Sequence, residues 1–72
     1  MIKTIVYIEG MSCGHCASRV QTTLEKLDSI ESVQVDLEKN QAIITSLEKL
    51  DQNRIKAIIE DLGYSVVKIV EE

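Results

Sequence analysis

Two cysteines, Cys13 and Cys16, enclose Gly14 and His15 in the run Gly10, Met11, Ser12, Cys13, Gly14, His15, Cys16, and the chain holds no further cysteine or histidine. In a reducing compartment a pair spaced CxxC is more often redox-active or metal-binding than a structural staple. A disulfide across so short a loop would stabilise little. The run falls between a strand-like and a helix-like stretch, which places both sulfurs in a loop, with Cys16 in or near the first helical turn. Backbone N–H groups without helical partners and the positive end of the helix dipole favour thiolate over thiol there. Cys16 is therefore expected to have a lowered pKa, and both thiols to be good ligands. Soft thiolates select soft ions, Cu(I) first, and Hg(II) or Cd(II) where present. A closed structural zinc site takes four ligands, which two Cys and one His of a single chain cannot supply. Cu(I) accepts two sulfurs in a near-linear arrangement and stays open to an incoming thiolate from another protein. Such low coordination suits transfer rather than storage.

The neighbours of the pair have plainer readings. His15, between two candidate ligands, is more simply a solvated loop side chain than a donor, because such a residue points outward and imidazole is harder than thiolate. Met11 reads as support in an aliphatic core, where methionine fills gaps, and Tyr64 as an aromatic at the loop's edge. The acids Glu25, Asp28, Glu31, Asp36 and Glu38 form a solvated face that keeps a small domain in solution. Arg19, Lys26 and Lys3 are expected near the metal end, where they would meet an acidic partner.

The elements that must position these residues are few, because 72 residues with 44% hydrophobic and 28% charged content make one domain spanning 1–72. With two Tyr and no Phe or Trp, the core is built of Ile, Val and Leu. The apolar stretches are far below the ~20 residues that cross a bilayer, and no charged-then-apolar leader precedes them; a cytoplasmic protein without membrane insertion is expected. A formal charge of −4 is the opposite of the basic footprint that nucleic-acid binding requires.

Thr4, Val6 and Ile8 share one face of a strand over 2–8, which Gly10 breaks. From about Gly14 to about Leu27, Ala17, Val20, Leu24 and Leu27 draw a helical stripe. Val33, Val35 and Leu37 alternate with polar residues, Asn40 supplies a turn, and Ala42 and Ile44 resume the alternation up to Thr45 or Ser46, which makes a hairpin. Asp51 is an N-cap for a helix with the stripe Ile55, Ile58, Ile59 and Leu62. Gly63 suits the left-handed residue past its end, and a last strand runs from Tyr64 to about Val70. The order βαββαβ predicts an α+β fold, a ferredoxin-like sandwich with a four-stranded antiparallel sheet and both helices on one face.

With that loop in that order of elements, the chain resembles the heavy-metal-associated (HMA) domain, whose loop reads GMxCxxC. The resemblance covers essentially the whole chain, including Gly63 and Tyr64, which are similar to the Gly-Tyr pair opening the last strand in the bacterial branch. It implies a bacterial copper chaperone or one amino-terminal metal-binding domain of a copper-transporting P-type ATPase. Met1 and the charged end at Glu71 and Glu72 favour the complete small protein. By the same resemblance Cys13 and Cys16 are the metal-binding thiolates. Met11 turns inward to brace the loop, and Tyr64 stands beside it where eukaryotic members tend to have Lys. Ser12 stands where zinc- and cadmium-pump domains often have Asp, an added oxygen ligand, and its presence points to Cu(I). Ser46, or Thr45, departs from the aromatic that relatives often place at the end of the third strand, so the core is expected to be thinner there.

The expected function is that of a non-enzymatic Cu(I) metallochaperone. It would pass copper by stepwise thiolate exchange to a metal-binding domain of a copper-transporting ATPase or another copper acceptor. The protein is expected to be a monomer, with a copper-bridged dimer, His15 or Tyr64 near its seam, where no acceptor is present. Mercury carriage, as in mercuric-ion binding domains of the family, is the nearest rival, since two thiolates suit Hg(II) equally. Cys13, Gly14, His15, Cys16 also spells the tetrapeptide of protein disulfide isomerase domains. Thioredoxin-like folds, however, place an aromatic before the first Cys and a cis-Pro opposite the pair, whereas here Ser12 precedes Cys13 and proline is absent. An RNA-recognition module would need sheet aromatics and a basic surface, both missing.

Overall fold

The computed structural model of the chain describes residues 1–11 and 14–72. Six elements follow in the expected order: β1 (Ile2–Glu9), α1 (Gly14–Glu25), β2 (Ile30–Asp36), β3 (Gln41–Ser46), α2 (Gln52–Asp61) and β4 (Ser65–Glu71). The strands form one antiparallel sheet in the order β2-β3-β1-β4, so β1, the strand that leads into the cysteine loop, is central and is held from both sides.

Alternation along the strands sorts the residues between two faces. Thr4, Val6 and Ile8 of β1, Ala42, Ile44 and Ser46 of β3 and Val33 of β2 are buried on one of them. Both helices cover that face: Val20 and Leu24 of α1 and Ile55 and Ile59 of α2 join the same aliphatic cluster. The structure is thus the ferredoxin-like α+β sandwich that the residue pattern predicts. Among the described residues, no helix is long and apolar enough to cross a membrane.

Three details differ from the periodicity. Helix α1 ends at Glu25 rather than near Leu27, because the amides of Lys26 and Leu27 donate to the carbonyls of Thr23 and Leu24 at 3.3 and 3.1 Å, three residues back. That spacing tightens the last turn out of α-helical geometry, although Leu27 still packs against the core. Strand β2 begins at Ile30, ahead of the alternating run from Val33, with Glu31 as an extra residue in its pairing with β3. In β4 the pairing with β1 passes from Tyr7↔Lys68 to Ile8↔Val66, leaving Val67 as a bulge. The bulge puts Val66 and Ile69, three apart, against the core while Val67 is 58% exposed.

The second helix starts as expected. Asp51 caps it, accepting the Asn53 amide at 2.9 Å and the Arg54 amide at 3.4 Å on its Oδ1. At its far end Gly63 takes φ +100°, the left-handed conformation that releases the chain toward β4. Ser46, at the position of the expected thinning, is buried with its hydroxyl donating to the Glu48 carbonyl at 2.7 Å.

Candidate metal centre

The site lies where β1 gives way to α1. Gly10 follows the last residue of β1 with φ +100°, which turns the backbone off the line of the sheet. Met11 comes next and is 6% exposed, its side chain part of the aliphatic core. It thus occupies the inward position of a brace, and a thioether so buried is committed to packing. Cys16 is the third residue of α1, half-buried and packed against the core cluster, so the sequence's placement of this sulfur in the first helical turn holds. No acidic residue occupies that first turn, which leaves the positive end of the helix dipole uncancelled by its own side chains. Cys13, the other candidate ligand, and Ser12 lie outside the described residues.

His15 is exposed, as the solvated reading holds. It shares an open groove with Ser18, Arg19, Thr22, Thr23 and Leu62. Being four residues apart on α1, His15 and Arg19 lie on one face of the helix. Tyr64, half-buried, comes against the site from β4's side: a Cβ built on Gly10 would lie 3.4 Å from Tyr64 Cδ1 and 3.9 Å from its Cα. Among the described residues, no three His, Cys, Asp or Glu side chains come together to hold an ion, so they add no closed multidentate cage around Cys16.

The placement of basic residues corrects the sequence reading in part. Arg19 lies one turn along α1 from Cys16, but Lys26 lies beyond the helix's other end, some 15 Å along the axis at ~1.5 Å per residue. Lys3 stands at the start of β1, seven residues before Gly10, and pairs with Glu72 at 3.7 Å. Strand β1 runs toward the loop and α1 away from it, so residues at their outer ends lie at the opposite pole of the molecule. Sequence reasoning set Tyr64 at the loop's edge, where it lies, but not against Gly10 in particular, because the bulge at Val67 that aligns the two leaves no mark in the alternation of β4.

Comparison with known proteins agrees with this architecture. Residues 5–65 match the family described as the heavy-metal-associated domain. The chain is 42% identical to the copper chaperone CopZ of Staphylococcus haemolyticus over 71 residues, covering 92% of this chain and 98% of that protein. Among solved structures, a copper-binding domain from HMA7, a P-type ATPase, superimposes with a TM-score of 0.86 at 30% identity, covering 100% of this chain and 99% of that one. The yeast copper transporter domain Ccc2a, studied in apo and Cu(I)-loaded states, gives 0.85 at 26% identity and covers 94% and 97%.

Proposed function

The chain belongs to the heavy-metal-associated domain family, and from that membership we propose that it is a copper metallochaperone, a cytoplasmic carrier of Cu(I) rather than an enzyme. Cys13 and Cys16 hold the ion as thiolates, Met11 anchors the loop from the core, Tyr64 stands beside it, and His15 remains in solvent. The observation that carries the reading is the position of Cys16, second cysteine of the CxxC run, in the first turn of α1, a helix that begins at Gly14 shortly after a buried Met11. A relative named as a copper chaperone, matching nearly its whole length, supports copper as the cargo. The yeast domain solved in a Cu(I)-loaded state supports the oxidation state, as does the softness of two sulfur donors.

Delivery follows from the coordination. An ion held by two sulfurs accepts a third thiolate before it leaves the first, so copper passes through a sulfur-bridged complex of carrier and acceptor, each new Cu–S bond replacing an old one. The resemblance to a copper-binding domain of a P-type ATPase supports such a domain as the acceptor, since a carrier and acceptor built alike present matching loops. Without an acceptor, two copies meet in the same manner around copper; otherwise the protein is a monomer.

Anaerobic titration with Cu(I) and Zn(II) against a competing chelator tests the reading. One Cu(I) per chain, bound in preference to Zn(II), is expected. Binding of Zn(II) that Cu(I) fails to displace, or no Cu(I) held against the chelator, would contradict it.

A further inference from the structure

The strand order leaves β2 and β4 at the two edges of the sheet, and an edge strand presents backbone N–H and C=O groups to any strand that fits it. Ladder partners share a face, so Val66 and Ile69 of β4, opposite Ile8 and Val6, lie on the helix side. Lys68 and Val70, opposite Tyr7 and Ile5, lie on the open side. Along this edge runs a groove walled by residues 66–69 of β4 and by Gln52, Asn53 and Lys56 of α2. Its volume of about 180 Å³ falls below the ~300–1,000 Å³ of small-molecule pockets. A strand running past the groove suits it better than a compact ligand.

Charge narrows what that strand carries. The chain has a net charge of −4, yet the charged residues in the groove wall are lysines, Lys56 and Lys68. Among the described residues neither pairs with a carboxylate, and Asp51, the acid next to Gln52, is engaged in capping α2. Lys56 comes from the helix side. Lys68 stands on the open side with its ammonium 4.8 Å from the centre of the Tyr7 ring, an attraction that holds the charge on that face. A strand laid against β4 therefore meets a cation on each face, and because successive strand residues alternate faces, two adjacent acids answer both. Val70, 38% exposed, offers an apolar contact on the same face as Lys68. A second copy of the chain fits badly, since a two-fold axis within 66–69 would gather two Lys56 and two Lys68 in one place. The bulge at Val67 and the lysine at the edge blunt pairing by uncharged strands, which leaves the edge selective rather than closed.

We propose that the edge of β4, flanked by Lys56 and Lys68, docks an extended acidic peptide segment, which joins the sheet as a further strand and sets two adjacent carboxylate side chains against the two lysines. Main-chain hydrogen bonds to β4 give such a complex its affinity, and the lysines give it specificity. Helix α1 packs over β2 and α2 over β4, so a segment held here lies on the flank away from α1 and leaves that helix's first turn uncovered. The site is independent of the copper reading.

The test uses the metal-free protein and a short capped peptide in which two adjacent glutamates are flanked by valine and threonine, followed by NMR titration and amide hydrogen exchange. Binding is expected to shift the amide signals of β4 and of the first turns of α2, and to slow exchange along β4. Lys56→Gln and Lys68→Gln should each weaken binding about threefold and the pair together about tenfold, the range of exposed ion pairs, while Lys68→Arg and the distant Lys49→Gln match the parent. A peptide with glutamine in place of both glutamates should bind about tenfold more weakly. One N-methylated on the amides that would face β4 should lose the slowed exchange. No binding, binding indifferent to the two lysines, or equal binding of the glutamine peptide would overturn the proposal. So would equal binding of the N-methylated peptide, which would mean charge attraction without strand addition. Slowed exchange along β4 that grows with protein concentration in the absence of peptide would assign the edge to a second copy instead.

Discussion

Cys16 is only half-buried at the start of α1, so replacing the sulfur of this proposed metal donor by oxygen costs the core little. Cys13→Ser and Cys16→Ser are each expected to abolish tight Cu(I) binding in the chelator competition. The metal-free Cys16→Ser protein should lose about 1 kcal/mol or less in thermal unfolding, the range of substitutions outside the core. His15→Ala provides the contrast: the imidazole is exposed, and copper affinity should stay within about 0.5 kcal/mol of the parent. A large loss in His15→Ala would make the histidine a ligand. The proposed donors were legible in the sequence because their chemistry is local, two thiols at a fixed spacing ahead of and within the start of a predicted helix. Tyr64's contact with Gly10 was not, since it depends on a ladder register fixed by an extra residue, Val67, whose side chain looks like any other strand valine.

At the scale of the elements, alternation and helical stripes were enough to find all six, because each buries one face on a single core. What periodicity does not encode is where tertiary contacts override it, as at the tightened last turn of α1 and the bulges at Glu31 and Val67. Two stability predictions belong here. Thr4 faces the core at 1% exposure, and its Oγ1 finds no hydrogen-bond partner among the described residues. The isosteric Thr4→Val should therefore raise stability by about 1–3 kcal/mol, the cost of an unsatisfied buried hydroxyl. A denaturant titration showing no gain would mean that the hydroxyl is satisfied in solution. Gly63, at φ +100° with open space where a Cβ would go, tests the backbone alone. Gly63→Ala should lose about 1–2 kcal/mol from left-handed strain without any clash.

The whole molecule carries a net charge of −4, yet beside Cys16 the exposed face of α1 presents Arg19 and His15 in one groove, while Lys3 and Lys26 lie at the other pole. Charge beside the loop steers a brief encounter, so raising ionic strength from low to physiological should slow copper transfer severalfold while leaving affinity for the ion nearly unchanged. Stopped-flow transfer rates set beside equilibrium titrations across the same salt series separate the two. The central claim, direct exchange between thiolates, is tested most directly by following Cu(I) transfer from this protein to a metal-binding domain of a copper-transporting ATPase as the acceptor concentration rises. Direct exchange predicts a rate that climbs with acceptor concentration, exceeds spontaneous release, and collapses when the acceptor's cysteines are replaced by serine. A rate equal to spontaneous release and indifferent to the acceptor's concentration would show that copper leaves into solution first, and would contradict the account.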